Sequence, residues 1–94
     1  MAQIVWTRRA VTDLRHIFDF IALDSRFYAL RFTSKIIEAV EQLSMYPLSG
    51  RVVPEKNDPA VRELIVGNYR IFYRIMRQQV TILRIHHSAR KITS

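Results

Sequence analysis

The stretch that most constrains the fold is residues 61–90, VRELIVGNYRIFYRIMRQQVTILRIHHSAR, where apolar and polar side chains alternate on both sides of Gly67-Asn68. A period of two marks half-buried strands, and both residues of a Gly-Asn pair tolerate the positive φ of a two-residue hairpin turn. That turn sets Val66 opposite Tyr69, Leu64 opposite Ile71 and Arg62 opposite Tyr73. A second reversal falls at Arg77-Gln78-Gln79. Taken as a three-residue loop, it sets Tyr73 opposite Leu83, Arg74 opposite Ile82, Phe72 opposite Arg84, Ile71 opposite Ile85 and Arg70 opposite His86.

This register predicts two unlike faces. Leu64, Val66, Ile71, Tyr73, Ile75, Leu83 and Ile85 form an apolar face. Its reverse mixes bases with apolar groups: Glu63, Ile65, Arg70, Phe72, Arg74, Met76, Val80, Ile82, Arg84 and His86. A slip of one residue in the last strand would exchange its faces.

The rest of the chain supplies a cover for the apolar face. Gln3-Ile4-Val5-Trp6-Thr7 reads as a first strand, with Thr7 placed to cap a helix. Ala10, Val11, Leu14, Ile17, Phe18 and Ile21 then recur at helical spacing, while Arg9 with Asp13 and Arg15 with Asp19 lie four apart, as solvated helix pairs do. Asp24-Ser25 breaks the pattern, and residues 26–45 read as a second helix. Its stripe is Ala29, Phe32, Ile36, Val40 and Leu43, widened by Leu30 and Ile37. So short a connection makes the helices antiparallel. Pro47 and Gly50 end the second helix, and Pro54 and Pro59 predict a crossover without regular structure. The expectation is one α+β domain over residues 1–94, in the order β-α-α-β-β-β, with an antiparallel α-hairpin packed on one face of a small, mainly antiparallel sheet.

Composition narrows the chemistry. The 94 residues suit a single core, and without cysteine there is neither a disulfide framework nor a thiolate metal site. No apolar run approaches a membrane span or opens the chain as a signal peptide would, so a soluble cytoplasmic protein without cofactor is expected. The net charge is +7, and from Val61 onward seven bases face the single acid Glu63, so six of those charges belong to this stretch. Such clustering favours a polyanionic or acidic partner. Adjacent strand residues His86 and His87 point to opposite faces, which argues against a metal site. Two glycines, Gly50 and Gly67, do not make a phosphate loop.

Arginines beside histidines suit two tasks. They can stabilise phosphate charge during RNA cleavage while a histidine or tyrosine (His86, His87 or Tyr69) moves a proton, or they can hold an acidic partner.

Pro47-Leu48-Ser49-Gly50-Arg51, Val61-Arg62-Glu63-Leu64, Tyr69-Arg70-Ile71-Phe72-Tyr73-Arg74 and Ile85-His86-His87 followed by Arg90 together resemble the RelE/ParE superfamily of bacterial type II toxins. The resemblance spans essentially the whole chain and implies a toxin neutralised by a cognate antitoxin, whose acidic amphipathic C-terminal segment wraps it in a hetero-oligomer. RelE-like members cut mRNA on the ribosome, and ParE-like members act on DNA gyrase. RelE-like nucleases carry lysines where this chain has Val61 and Glu63. Arg70 matches their strand arginine and Arg90 approximates a later basic position, but the tail Lys91-Ile92-Thr93-Ser94 has no tyrosine. A carboxylate where phosphate must sit works against catalysis, so the ParE-like activity is favoured. The resemblance then assigns antitoxin or target contact to Arg62, Arg70, Phe72, Arg74, Arg84, His86 and Arg90. In the RelE-like alternative the catalytic set is Arg70, Arg84, His86, His87 and Arg90. A third possibility is a copy that binds antitoxin but has lost toxicity.

Overall fold

A computed structural model describes residues 1–88. Its elements are β1 (Gln3–Trp6), α1 (Arg8–Ala22), α2 (Arg26–Glu41), a 3-10 turn at Gln42–Ser44, β2 (Arg51–Val52), β3 (Val61–Val66), β4 (Tyr69–Met76) and β5 (Gln79–His87). The strands form one sheet in the order β1-β5-β4-β3-β2, with β1 parallel to β5 and every other pair antiparallel. The α-hairpin lies on one face, α1 against β5 and α2 against β3, giving the expected two-layer α+β architecture. Two boundaries differ from expectation. The second helix tightens into the 3-10 turn after Glu41, and the crossover contributes the short edge strand β2. Among the described residues no helix is long and apolar enough to cross a membrane.

Local chemistry starts each helix. The Thr7 hydroxyl accepts from the Ala10 amide at 3.1 Å and the Ser25 hydroxyl from the Tyr28 amide at 3.2 Å, each satisfying an otherwise orphaned donor of a first turn. Ala10 and Ile17 of α1, with Ala29, Thr33, Ile36 and Val40 of α2, are the buried helix positions. Of these, Ala10, Ile17, Ile36 and Val40 meet Ile71, Tyr73, Val80, Ile82 and Ile85 of the sheet to form the main core with Leu43. Truncating a fully buried isoleucine here would cost about 2–5 kcal/mol.

The β3–β4 register is as expected, from Val66 opposite Tyr69 to Arg62 opposite Tyr73. Gly67 takes φ 57°, and positive φ at the first turn residue alone is the pattern of a type II′ hairpin turn. The β4–β5 pairing is as expected from Arg70 with His86 to Phe72 with Arg84, and then shifts. Beyond the irregularity Tyr73 pairs with Ile82, Arg74 with Thr81, Ile75 with Val80 and Met76 with Gln79, so the turn is the two residues Arg77-Gln78. A β-bulge supplies the missing residue. Its physical reason lies in β5 itself, where Val80 and Ile82 have one parity and Ile85 the other, so an unbroken strand could bury only one set. The bulge lets all three enter the main core and turns Leu83 to a second cluster with Val53, Val61 and Phe72. The expected faces of Val80, Ile82 and Leu83 are therefore corrected. Thr7 closes the irregularity by donating its hydroxyl proton to the Leu83 carbonyl at 3.0 Å.

Candidate functional site

The reverse face of the sheet is not an open mixed surface. Residues 53–60 cover part of it, anchored by the fully buried Val53 against Phe72, and the Val53 amide donates a hydrogen bond to the Val61 carbonyl at 3.1 Å. Under this strap the bases become internal ligands. Arg70 on β4 is 9% exposed at its side chain. Its Nε donates to Glu63 of β3 at 2.5 Å, and Nη1 and Nη2 donate to the two oxygens of Glu55 at 3.0 Å each. The guanidinium lies 4.9 Å above the Phe72 ring centre, and His86 meets the same ring edge-on at 5.5 Å. Glu63 is fully buried and also bonded by Arg51. Two arginines and two carboxylates thus close a nearly neutral network. Hydrogen bonds from Arg70 hold the Glu55 carboxyl far below the usual range, at about 2, and the Arg70 guanidinium is correspondingly harder to deprotonate.

The other sequence-predicted residues divide among separate tasks. Arg62 donates to the carbonyls of Pro59 and Gly50, at 3.1 and 3.0 Å, so it ties the two ends of the crossover together. Arg74 approaches Asp58 at 3.7 Å. Arg84 lies opposite Phe72 as expected, and its side chain reaches α1: Nε and Nη2 donate to Asp13 at 2.7 and 3.2 Å, and the Ile85 amide donates to the same carboxylate at 2.9 Å. This carboxylate bond raises the Arg84 pKa. Asp13 is therefore a tertiary tie, which corrects its reading as a local partner of Arg9. His86 faces Phe72 and His87 faces Tyr69, at 5.3 Å between ring centres, so the neighbouring histidines do occupy opposite faces. Arg90 lies outside the described residues. The structure brings Arg70, Phe72 and His86 together, engages Arg84 with Asp13 of α1, and leaves His87 against Tyr69 on the other face of the sheet. Among the described residues no group of three or more histidines, aspartates and glutamates could hold a metal ion.

Two features went unseen in the sequence. Glu55, in the segment read as mere connection, completes the Arg70 network. The α-hairpin also carries more apolar surface than the sheet can cover. Phe20, Leu23, Phe27, Tyr28 and Leu30 are all more than half exposed around its tip. The signal was present in the breadth of the helical stripes, since Leu30, Ile37 and Val11 could not all share one buried face. Between α1 and the end of the sheet a cleft of about 360 Å³ is lined by Asp13, His16, Ile17, Phe20, Tyr69, Ile85 and His87.

An α-hairpin on one face of a five-stranded sheet, with Arg70 neutralised internally and apolar residues exposed at the hairpin tip, defines a small two-layer α+β protein. The chain belongs to the ParE toxin family of type II toxin-antitoxin systems, parDE, which residues 4–92 match. It is 40% identical over 91 residues to Toxin RelE2 of Caulobacter vibrioides, covering 96% of this chain and 99% of that protein. It is 39% identical over 88 residues to the putative toxin Y4kP of Sinorhizobium fredii, covering 92% and 88%. Its fold matches a chain of the chromosomal ParDE system from P. aeruginosa with a TM-score of 0.77 and 30% identity, covering 93% and 96%. A chain of the RelBE2 toxin-antitoxin complex of Mycobacterium tuberculosis shares the fold at a TM-score of 0.68 and 24% identity, over 92% and 96%.

Proposed function

We propose that this toxin acts in the cytoplasm by binding DNA gyrase rather than by cutting RNA, and that a cognate antitoxin neutralises it through an acidic amphipathic C-terminal segment. The observation that carries the reading is the state of Arg70. A guanidinium that stabilises a phosphorane must direct its donors at the reacting phosphate. Here all three described donor directions end on the protein's own carboxylates. The exposed apolar tip of the α-hairpin supports a mode of action by protein contact, because patches of this kind mark partner surfaces. Arg26, Arg31 and Lys35 on α2 give that surface a basic edge suited to an acidic helix. On the sheet, Arg74 and Arg84 keep partly accessible side chains that can add charge contacts to the antitoxin or the target.

The second reading is ribosome-dependent mRNA cleavage. It draws on the name of the Caulobacter relative, Toxin RelE2, and on His86 standing beside the Arg70–Phe72 pair. Induction without antitoxin separates the two. Gyrase-dependent DNA breaks and filamentation are expected, with ribosomal mRNA left intact. Codon-positioned cuts on translating ribosomes, abolished by Arg70→Ala, would establish the nuclease instead.

A further inference from the structure

Among the described residues the sheet ends on β1 at one side and on the two-residue β2 at the other. The Gln3 amide donates to the Gln78 carbonyl and the Thr7 amide, just past β1, to that of Ile82, so odd positions face β5. Alternation then turns the main-chain groups of Ala2, Ile4 and Trp6 to the outer edge. The 3-10 turn occupies the first of these positions: the Ala2 amide donates to the Ser44 carbonyl at 2.8 Å, and the Ala2 carbonyl accepts from the Ser44 hydroxyl at 2.7 Å. No described residue covers Ile4 and Trp6 in this way. Nor does β1 carry the devices that blunt an edge, since Gln3-Ile4-Val5-Trp6 has no charge, no proline and no bulge in its pairing with β5.

We infer that this edge pairs with the same edge of a second copy of the chain, antiparallel, joining two five-stranded sheets across a two-fold axis. Ile4 of each copy then lies opposite Trp6 of the other, each pair exchanging both main-chain hydrogen bonds, and Val5 meets its own counterpart on the axis. Charge selects the occupant. A chain of net charge +7 draws acidic partners to its exposed bases, and β1 offers no base to hold one. Pairing of like edges also closes the assembly as a dimer and leaves β2 outside it. The contact is short and the two copies repel, so the dimer is weak and added salt tightens it. It is independent of the proposed gyrase contact, because β1 adjoins the start of α1 and the exposed hairpin tip lies at the far end.

The test follows self-association of the full-length chain, free of antitoxin, by sedimentation equilibrium over a wide concentration range, with amide exchange at Ile4 and Trp6 read by NMR. The parent should dimerise, more tightly at higher salt, and both amides should gain protection as concentration rises. Ile4 and Trp6 pack towards the main core, so Val5 lies on the other face of the sheet, where a charge does not enter that core. Val5→Lys and Val5→Glu each set like charges opposite one another on the axis, and each should weaken the dimer at least about tenfold. An equimolar mixture of the two should restore it as a heterodimer. A parent that stays monomeric at every concentration overturns the inference, as does a mixture no tighter than either variant alone. Should a variant fail to fold, the parent's amides decide: exchange at Ile4 and Trp6 that is independent of concentration, or slowed only when antitoxin is added, overturns it as well.

Discussion

Asp13 of α1 accepts two hydrogen bonds from Arg84 of β5 and a third from the Ile85 amide, so a single carboxylate joins the helix layer to the sheet next to the bulge. The two partners should not be equally costly to lose. Asp13→Ala strands a backbone amide as well as the guanidinium, whereas Arg84→Gln leaves Asp13 its bond to Ile85. We expect Asp13→Ala to destabilise by about 2–3 kcal/mol and Arg84→Gln by about half that, because Arg84 is one-third exposed and water screens it. Urea unfolding of the double-mutant cycle should give a coupling of about 1–2 kcal/mol, and additivity would refute the tie.

Tyr73 is fully buried and its hydroxyl works in both directions, accepting from the Gly50 amide at 2.9 Å and donating to the Pro47 carbonyl at 2.8 Å. Burial raises its pKa, which keeps the phenol protonated and able to donate. Tyr73→Phe should therefore cost about 1–3 kcal/mol through two unpaired backbone groups. Gly50→Ala should cost at least as much. A Cβ there would lie 2.5 Å from the Tyr73 hydroxyl and 2.6 Å from the Glu63 carbonyl, and the backbone atom has nowhere to move. Thermal melts of both variants measure this, and a Tyr73→Phe protein as stable as its parent would show the bonds to be dispensable.

The Arg77-Gln78 turn carries a side chain where glycine is better suited. Arg77 has φ 55° and is exposed, so its backbone conformation is strained without a compensating buried contact. Arg77→Gly should stabilise by about 0.5–1 kcal/mol, since relief of the left-handed conformation outweighs the extra freedom of the unfolded chain. The gain should appear as a higher urea midpoint with unchanged slope.

The Glu55 carboxyl, depressed by Arg70 to about 2 from an ordinary 4.5, gives stability a definite pH window. A group with a lowered folded pKa contributes fully above its unfolded value and loses that contribution as pH falls through the folded value. The parent should thus be more stable than Glu55→Gln at neutral pH, with the difference shrinking between about 4.5 and 2 and vanishing below. Melting temperatures of the pair across this range check the sign. A difference that grows on acidification would place another group in control.

How much of this was legible in the sequence depended on whether a short-range signal set the geometry. Gly67-Asn68 pinned β3 to β4, and Thr7 and Ser25 announced their helices, because turns and caps are decided by neighbouring residues. The end of β5 was not pinned in this way. The change of parity between Ile82 and Ile85 was visible, but only the core on one side and Phe72 on the other determine that a bulge resolves it. Charge was harder still. Glu63 was recognised as an opposing charge in the arginine region, and it does sit on Arg70. Asp13 had a plausible local partner in Arg9, and Glu55 lay in a segment with no periodicity, so neither long-range pairing left a sequence signal.

The parallel pairing of β1 with β5 joins residues 3–6 to residues 79–82. During vectorial synthesis the first strand therefore emerges with no partner and must wait for residues 79–82, more than seventy positions later. The α-hairpin and the β3–β4 ribbon can form early from local contacts, but the sheet closes only after β5 leaves the ribosome. A nascent chain stopped before Gln79 is therefore left with β1 unpaired.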